Sequence, residues 1–134
     1  MINSKFAIFK VFNLIFYYMA IFNGSEGGPI PLQEAAAWTA NYRKKQDTLA
    51  AEAEKPKKYV KAHMFGREWI EKILQQENCV GIRMYYALDE VGTQQLILVG
   101  VDENGTDMED GEIVDRSALC PPTCSSGDLG GGIG

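Results

Sequence analysis

The chain has 134 residues, enough for one domain around one core. Its apolar share of 46% and charged share of 23% match an ordinary globular protein and exclude a low-complexity or fibrous chain. The net charge of −5 argues against a nucleic-acid partner, and three cysteines are too few for the disulfide framework of a small secreted domain.

The charge is unevenly spread. Residues 1–67 hold ten Lys/Arg and five Asp/Glu (+5); residues 68–134 hold three and thirteen (−10). The basic residues concentrate at Arg43-Lys44-Lys45 and from 55 to 61, the acidic ones from 102 to 115. Two solvated faces explain this pattern; the basic stretch touching an acidic partner is the functional alternative.

Residues 6–22 are strongly apolar, with five Phe and two Tyr. Lys10 and Asn13 interrupt them, and they fall short of the ~20 apolar residues a membrane span needs. Thirteen of residues 1–18 are Phe, Ile, Lys, Asn or Tyr, the products of AT-rich codons. The leading expectation is a mis-assigned start, with Met19 as the true first residue and the protein cytoplasmic. A membrane anchor and a buried core element are the alternatives. Residues 1–28 are therefore set apart, a single domain is expected over 29–116, and a flexible tail over 117–134.

Pro29 and Pro31 lead into a helix predicted over 32–53, ended by Pro56. Trp38, Tyr42, Lys45 and Leu49 share one of its faces. Residues 57–65 read as a short strand or connector. Phe65, Trp69, Ile70, Ile73 and Leu74 then predict a second helix over 66–76, with Asn78 as its stop.

The clearest signal is a hairpin. Residues 79–88 alternate, with Val80, Ile82, Met84 and Tyr86 on one face and Arg83 and Tyr85 on the other. Residues 89–93 form the turn. The return strand, 95–101, carries Leu96-Ile97-Leu98-Val99 and is expected to be central, with both faces buried. Asn104-Gly105 marks a second tight turn, and a third strand is expected around 112–114. The tail ends in Gly130-Gly131-Gly132-Ile133-Gly134 and is expected to be disordered. The order of elements predicts an α+β fold: two helices on one face of a small antiparallel sheet with a central hairpin.

Ala36, Trp38, Asn41, Tyr42, Phe65-Gly66, Cys79-Val80-Gly81-Ile82-Arg83, Tyr85-Tyr86, 100–105 and the closing Cys120-Pro121-Pro122-Thr123-Cys124 form a pattern. Over residues 31–125 the chain resembles a group of short uncharacterised bacterial proteins that end in Cys-Pro-Pro-x-Cys. No activity is attached to that group, so the resemblance carries over no catalytic residue.

Three candidate sites follow from residue chemistry. Cys120 and Cys124 read first as free cysteines that cap the sheet; the functional alternative is a small-loop, redox-sensitive disulfide. Alternatively they join Cys79 and His63 in a Cys3His set, which has the number and softness of ligands that zinc takes, although the spacing lacks the usual two-residue knuckle. Arg83 and Tyr85 share a strand face and have the chemistry of interface anchors. The acidic stretch from Asp102 fails as a calcium loop, because Asp107 stands where the loop needs Gly and Ile113 where it needs a bidentate Glu. No catalytic motif is present. The expected function is a small non-catalytic module that binds a protein partner, through the sheet face or the basic helix, without a cofactor. The alternative is a thiol or zinc protein.

Overall fold

The computed structural model describes residues 20–132. The three readings of the apolar N-terminus fall mainly on residues 1–19, which lie outside the described residues. Among the described residues no helix is long and apolar enough to cross a membrane.

The fold is α+β. In chain order the elements are α1 (Leu32–Glu52), β1 (Ala62–Met64), α2 (Arg67–Leu74), β2 (Cys79–Leu88), β3 (Gln94–Asp102), β4 (Ile113–Val114), β5 (Ala118–Cys120) and a 3-10 turn (Asp128–Gly130). Strands β2, β3 and β4 form one antiparallel sheet in that order, and β1 and β5 form a second, two-stranded one.

The hairpin is set by its turn. Asp89 Oδ1 accepts from the backbone N–H groups of Val91 (3.1 Å) and Thr93 (2.9 Å), and Gly92 takes the left-handed φ of 84°. These bonds also hold the Asp89 carboxyl below its usual range, the Thr93 N–H contributing most. The register that results pairs Met84 with Leu98 and Tyr86 with Leu96. An extra residue, Val80, bulges out between the Cys79 and Gly81 pairs.

β3 is central, as its continuous apolar run predicts, and Leu98 and Val99 are buried. The core is Ile73 of α2 against Leu98 and Val114, with Phe65, Ile70, Ile82, Leu96 and Cys79 packed around it. Gln76 staples α2 to the strand beyond: its Nε2 donates to the Ile73 carbonyl (2.9 Å) and its Oε1 accepts from Glu112 N–H (2.8 Å). Asn78, expected as the helix stop, instead ends the turn after the helix at a left-handed φ of 67°; α2 itself stops at Leu74 with Gln75 as its C-cap.

α2 is short. Its eight residues span ~12 Å, while the ten residues of β2 span ~33 Å. It therefore covers only the Ile82 end of the sheet. Met84 (53% exposed), Tyr86 (86%) and Leu88 (73%) continue the same apolar face without cover among the described residues.

α1 forms from an Ala-rich stretch behind Pro31, as predicted, yet buries no residue. Hydrogen bonds hold it in place of apolar packing. Tyr42 OH shares its proton between the Val60 carbonyl and Gln94 Oε1, both at 3.1 Å. Tyr59 OH reaches Asp47 Oδ1 (3.1 Å) and the Arg43 carbonyl (3.3 Å), and the two tyrosine rings meet edge to face.

The tail departs from expectation. Residues 117–134 were expected to be mobile, but Ala118–Cys120 pairs with β1, Ala62 opposite Cys120 and Met64 opposite Ala118. Lys61 N–H adds a bond to the Cys120 carbonyl (2.7 Å). Further on, Arg43 Nη1 donates to the Leu129 carbonyl (2.7 Å), which holds the 3-10 turn against α1. Three residues of moderate apolarity give no periodic signal of their own; their partner is a strand far upstream.

Candidate functional site: the groove between the first helix and the hairpin

The uncovered end of the sheet faces α1 across two adjoining clefts. The first, of about 670 Å³, lies between Trp38, Tyr42 and Arg43 of α1, His63 of β1, and Tyr86 and Leu96 of the hairpin. The second, of about 740 Å³, runs from Lys58 and Tyr59 to Leu88 and Val91 at the hairpin tip, and is walled by Pro121 and Pro122 of the tail. Val60 and Gln94 line both, so the clefts make one groove with a saddle where Tyr42 bonds to Gln94.

The groove is apolar and open. Trp38 stands 59% exposed on its helix side and Tyr86 86% exposed on its sheet side. Single exposed apolar residues are ordinary, but Trp38, Tyr86, Leu88 and Val91 gathered along one groove are a patch. Arg43, Lys58 and Lys61 stand among its lining residues, and among the described residues no Asp or Glu lines either cleft. Burial pushes the phenols of Tyr42 and Tyr59 above their ordinary pKa, so both remain neutral donors at physiological pH.

The Arg83–Tyr85 pair sits on the opposite face. The two side chains are brought together, as the alternation predicts, by a residue the sequence did not single out. Arg83 Nη1 and Tyr85 OH each bond Asp107, through its Oδ1 and Oδ2 respectively. Arg83 also donates to the Gly105 carbonyl (3.3 Å) and lies over the Phe22 ring. These donors pin the 103–108 turn to the sheet. Tyr85, and the Asp107 carboxylate beside it, hold the guanidinium charged, and the bond to Asp107 pushes the Tyr85 phenol up.

Cys120 and Cys124 are joined in a disulfide, with Cα atoms 4.8 Å apart. Cys120 is buried in β5 and Cys124 is exposed. Cys79 is a free, half-buried thiol in the other sheet, where it donates to the Gly81 carbonyl (3.2 Å) and packs on the core. The Cys79, Cys120, Cys124 and His63 set is therefore not gathered. Among the described residues no three His, Cys, Asp or Glu side chains come together as a metal group, and disulfide sulfurs offer no thiolate to zinc.

His63 has a partner that sequence reasoning missed: Ser117 Oγ lies 2.8 Å from its Nδ1. Its Nε2 is buried and, among the described residues, unbonded, as is Asp115 Oδ1. These are the residue types of an acyl-transfer triad. A triad, however, needs the carboxylate to orient the imidazole, and Asp115 makes no hydrogen bond to His63 among the described residues. The contact ties β1 to the chain entering β5.

Comparison with known protein families, curated proteins and solved structures finds no match to this chain.

Proposed function

We propose that this protein is a small non-catalytic binding module that docks a protein partner in the groove between α1 and the hairpin. The observation that carries the reading is the uncovered part of the sheet: Tyr86 and Leu88 continue the core-facing apolar surface, and α1 stands off from them with Trp38 exposed. Aromatic anchors around a pocket are what protein partners use most. The expected basic helix is one wall of this groove, whereas the expected Arg83 and Tyr85 face lies on the other side of the sheet and is not part of it.

The test is selection of peptides from a random-dodecamer display library by the folded protein. The reading predicts peptides whose affinity falls at least tenfold in Trp38→Ala and in Tyr86→Ala, both exposed and replaceable without loss of fold. Failure to select any peptide, or peptides that bind both variants as tightly as the parent, would contradict it.

A second reading rests on the disulfide. With Cys124 exposed and Cys120 buried, an external thiolate reaches Cys124 first. A redox-sensitive tail is then the function. It predicts that trapping with a thioredoxin-type single-cysteine reductant captures a mixed disulfide at Cys124; no adduct would set it aside. Zinc binding is the weaker form of this alternative, because it first requires reduction and then movement of Cys79.

A further inference from the structure

The walls of the groove also describe the occupant, an inference that rests on the reading above. In a chain of net charge −5, the described residues that line both clefts include Arg43, Lys58 and Lys61 and not one carboxylate. Among the described residues none of these three cations has a carboxylate within 4.0 Å; Lys57, which pairs with Asp47, is the neighbouring cation that does. Among the described residues the Arg43 side chain is engaged only by the neutral Leu129 carbonyl. The surrounding segment, residues 43–61, holds seven Lys/Arg and three Asp/Glu. Charge complementarity across an interface guides encounter and rejects wrong partners, so a groove of this sign selects for carboxylates. Its floor and walls select for something else: Leu88, Val91, Leu96, Pro121 and Pro122 offer aliphatic surface.

We propose that the groove binds an acidic peptide segment, with one or two apolar side chains seated between Trp38 and Tyr86 and its Asp or Glu carboxylates on the Arg43, Lys58 and Lys61 rim. A nucleic acid fits the walls poorly. A base could stack on Trp38 or Tyr86, but a nucleic acid has no aliphatic side chains to fill the Leu88, Val91, Pro121 and Pro122 end of the groove, and three cations make only a short basic stripe for a phosphate backbone. A second copy of this chain is the other acidic candidate, through residues 102–115. Asp102 and Asp107 there are already used by the turn and by Arg83 and Tyr85. A groove-to-turn contact between two copies closes into a dimer only if it is made reciprocally.

The test uses the peptides of the random-dodecamer selection, synthesised with a fluorescein label and measured by anisotropy. Lys58→Glu/Lys61→Glu is the informative variant, because both side chains are exposed and Arg43, which anchors the tail, is left in place. The expected result is a selected pool rich in Asp and Glu with apolar residues between them. Affinity should weaken at least tenfold in the double variant and several-fold between 50 and 500 mM salt, with the melting temperature of the variant unchanged. Two results overturn the inference. If the selected peptides are neutral or basic yet still need Trp38 and Tyr86, the groove is a binding site and its acidic specificity is wrong. If the parent self-associates in sedimentation and the double variant does not, the occupant is a second copy. An empty selection overturns the binding module itself.

Discussion

At the scale of single residues, the informative positions are those with one function in the packing. His63 is the only histidine, and burial holds its imidazole below the ordinary value near 6.5, with Asp115 pulling weakly the other way. A depressed folded pKa means that the unfolded chain takes the proton first. Stability is then fully present above about pH 6.5 and is lost as the pH falls below it. Urea midpoints should therefore drop between pH 7 and pH 5.5, a window above the range of ordinary carboxylates. His63→Gln should flatten that slope; an unchanged slope would show that the imidazole does not carry it. Gln76 is the second such residue. Gln76→Ala strands the Glu112 N–H and should cost about 1–3 kcal/mol in urea unfolding. Gly100→Ala should destabilise as well, because a Cβ there would come within 2.8 Å of Gln76 Nε2 and 3.1 Å of Cys79 Sγ. Leu98, fully buried, sets the scale for the core: Leu98→Ala should cost about 2–5 kcal/mol.

At the scale of elements, what could be read from sequence depended on range. The hairpin and both helices fall within a residue or two of where periodicity places them, because their signals are local: alternation in β2, turn chemistry at Asp89 and Asn104, apolar spacing in α2. β5 was not legible. Ala118-Leu119-Cys120 becomes a strand only because β1 lies ready to pair with it, and β1 itself reads from sequence as either strand or connector. The same holds for the sites. Arg83 and Tyr85 share a face by simple alternation, but Asp107, which joins them, comes from a turn that its acidic composition marked only as solvated. Ser117 reached His63 by the same kind of long-range pairing. The disulfide supports β5 from beyond its end. Its ring is small, and the chain-entropy estimate gives about 2 kcal/mol. Unfolding with and without a phosphine reductant should show a loss of that order, with exchange protection falling first at the Lys61 amide that bonds Cys120. Equal stability in both conditions would mean the bond contributes nothing to the fold. α1 is held by polar contacts, so Tyr42→Phe should loosen it by about 1 kcal/mol, seen as faster amide exchange along the helix.

At the scale of the whole molecule, a small core and a wide apolar groove go together. Eight residues of α2 cannot cover ten of β2, and α1 stops short of closing the remainder. The sequence showed the two ingredients, an aromatic helix face and an apolar sheet face. It did not show that they stand apart, because separation depends on Tyr42, Tyr59 and the tail rather than on periodicity. The charge asymmetry was legible as a sum, and only the fold places its basic part along the groove and Arg83 with Asp107 away from it. The claim that this groove is the docking surface is tested most directly by titrating a selected dodecamer into 15N-labelled protein and mapping amide shifts. The predicted shifts cluster at residues 38–46, 58–63, 86–96 and 119–122. Shifts confined to the Arg83, Tyr85 and Asp107 face, or to the outer surface of α2, would contradict it.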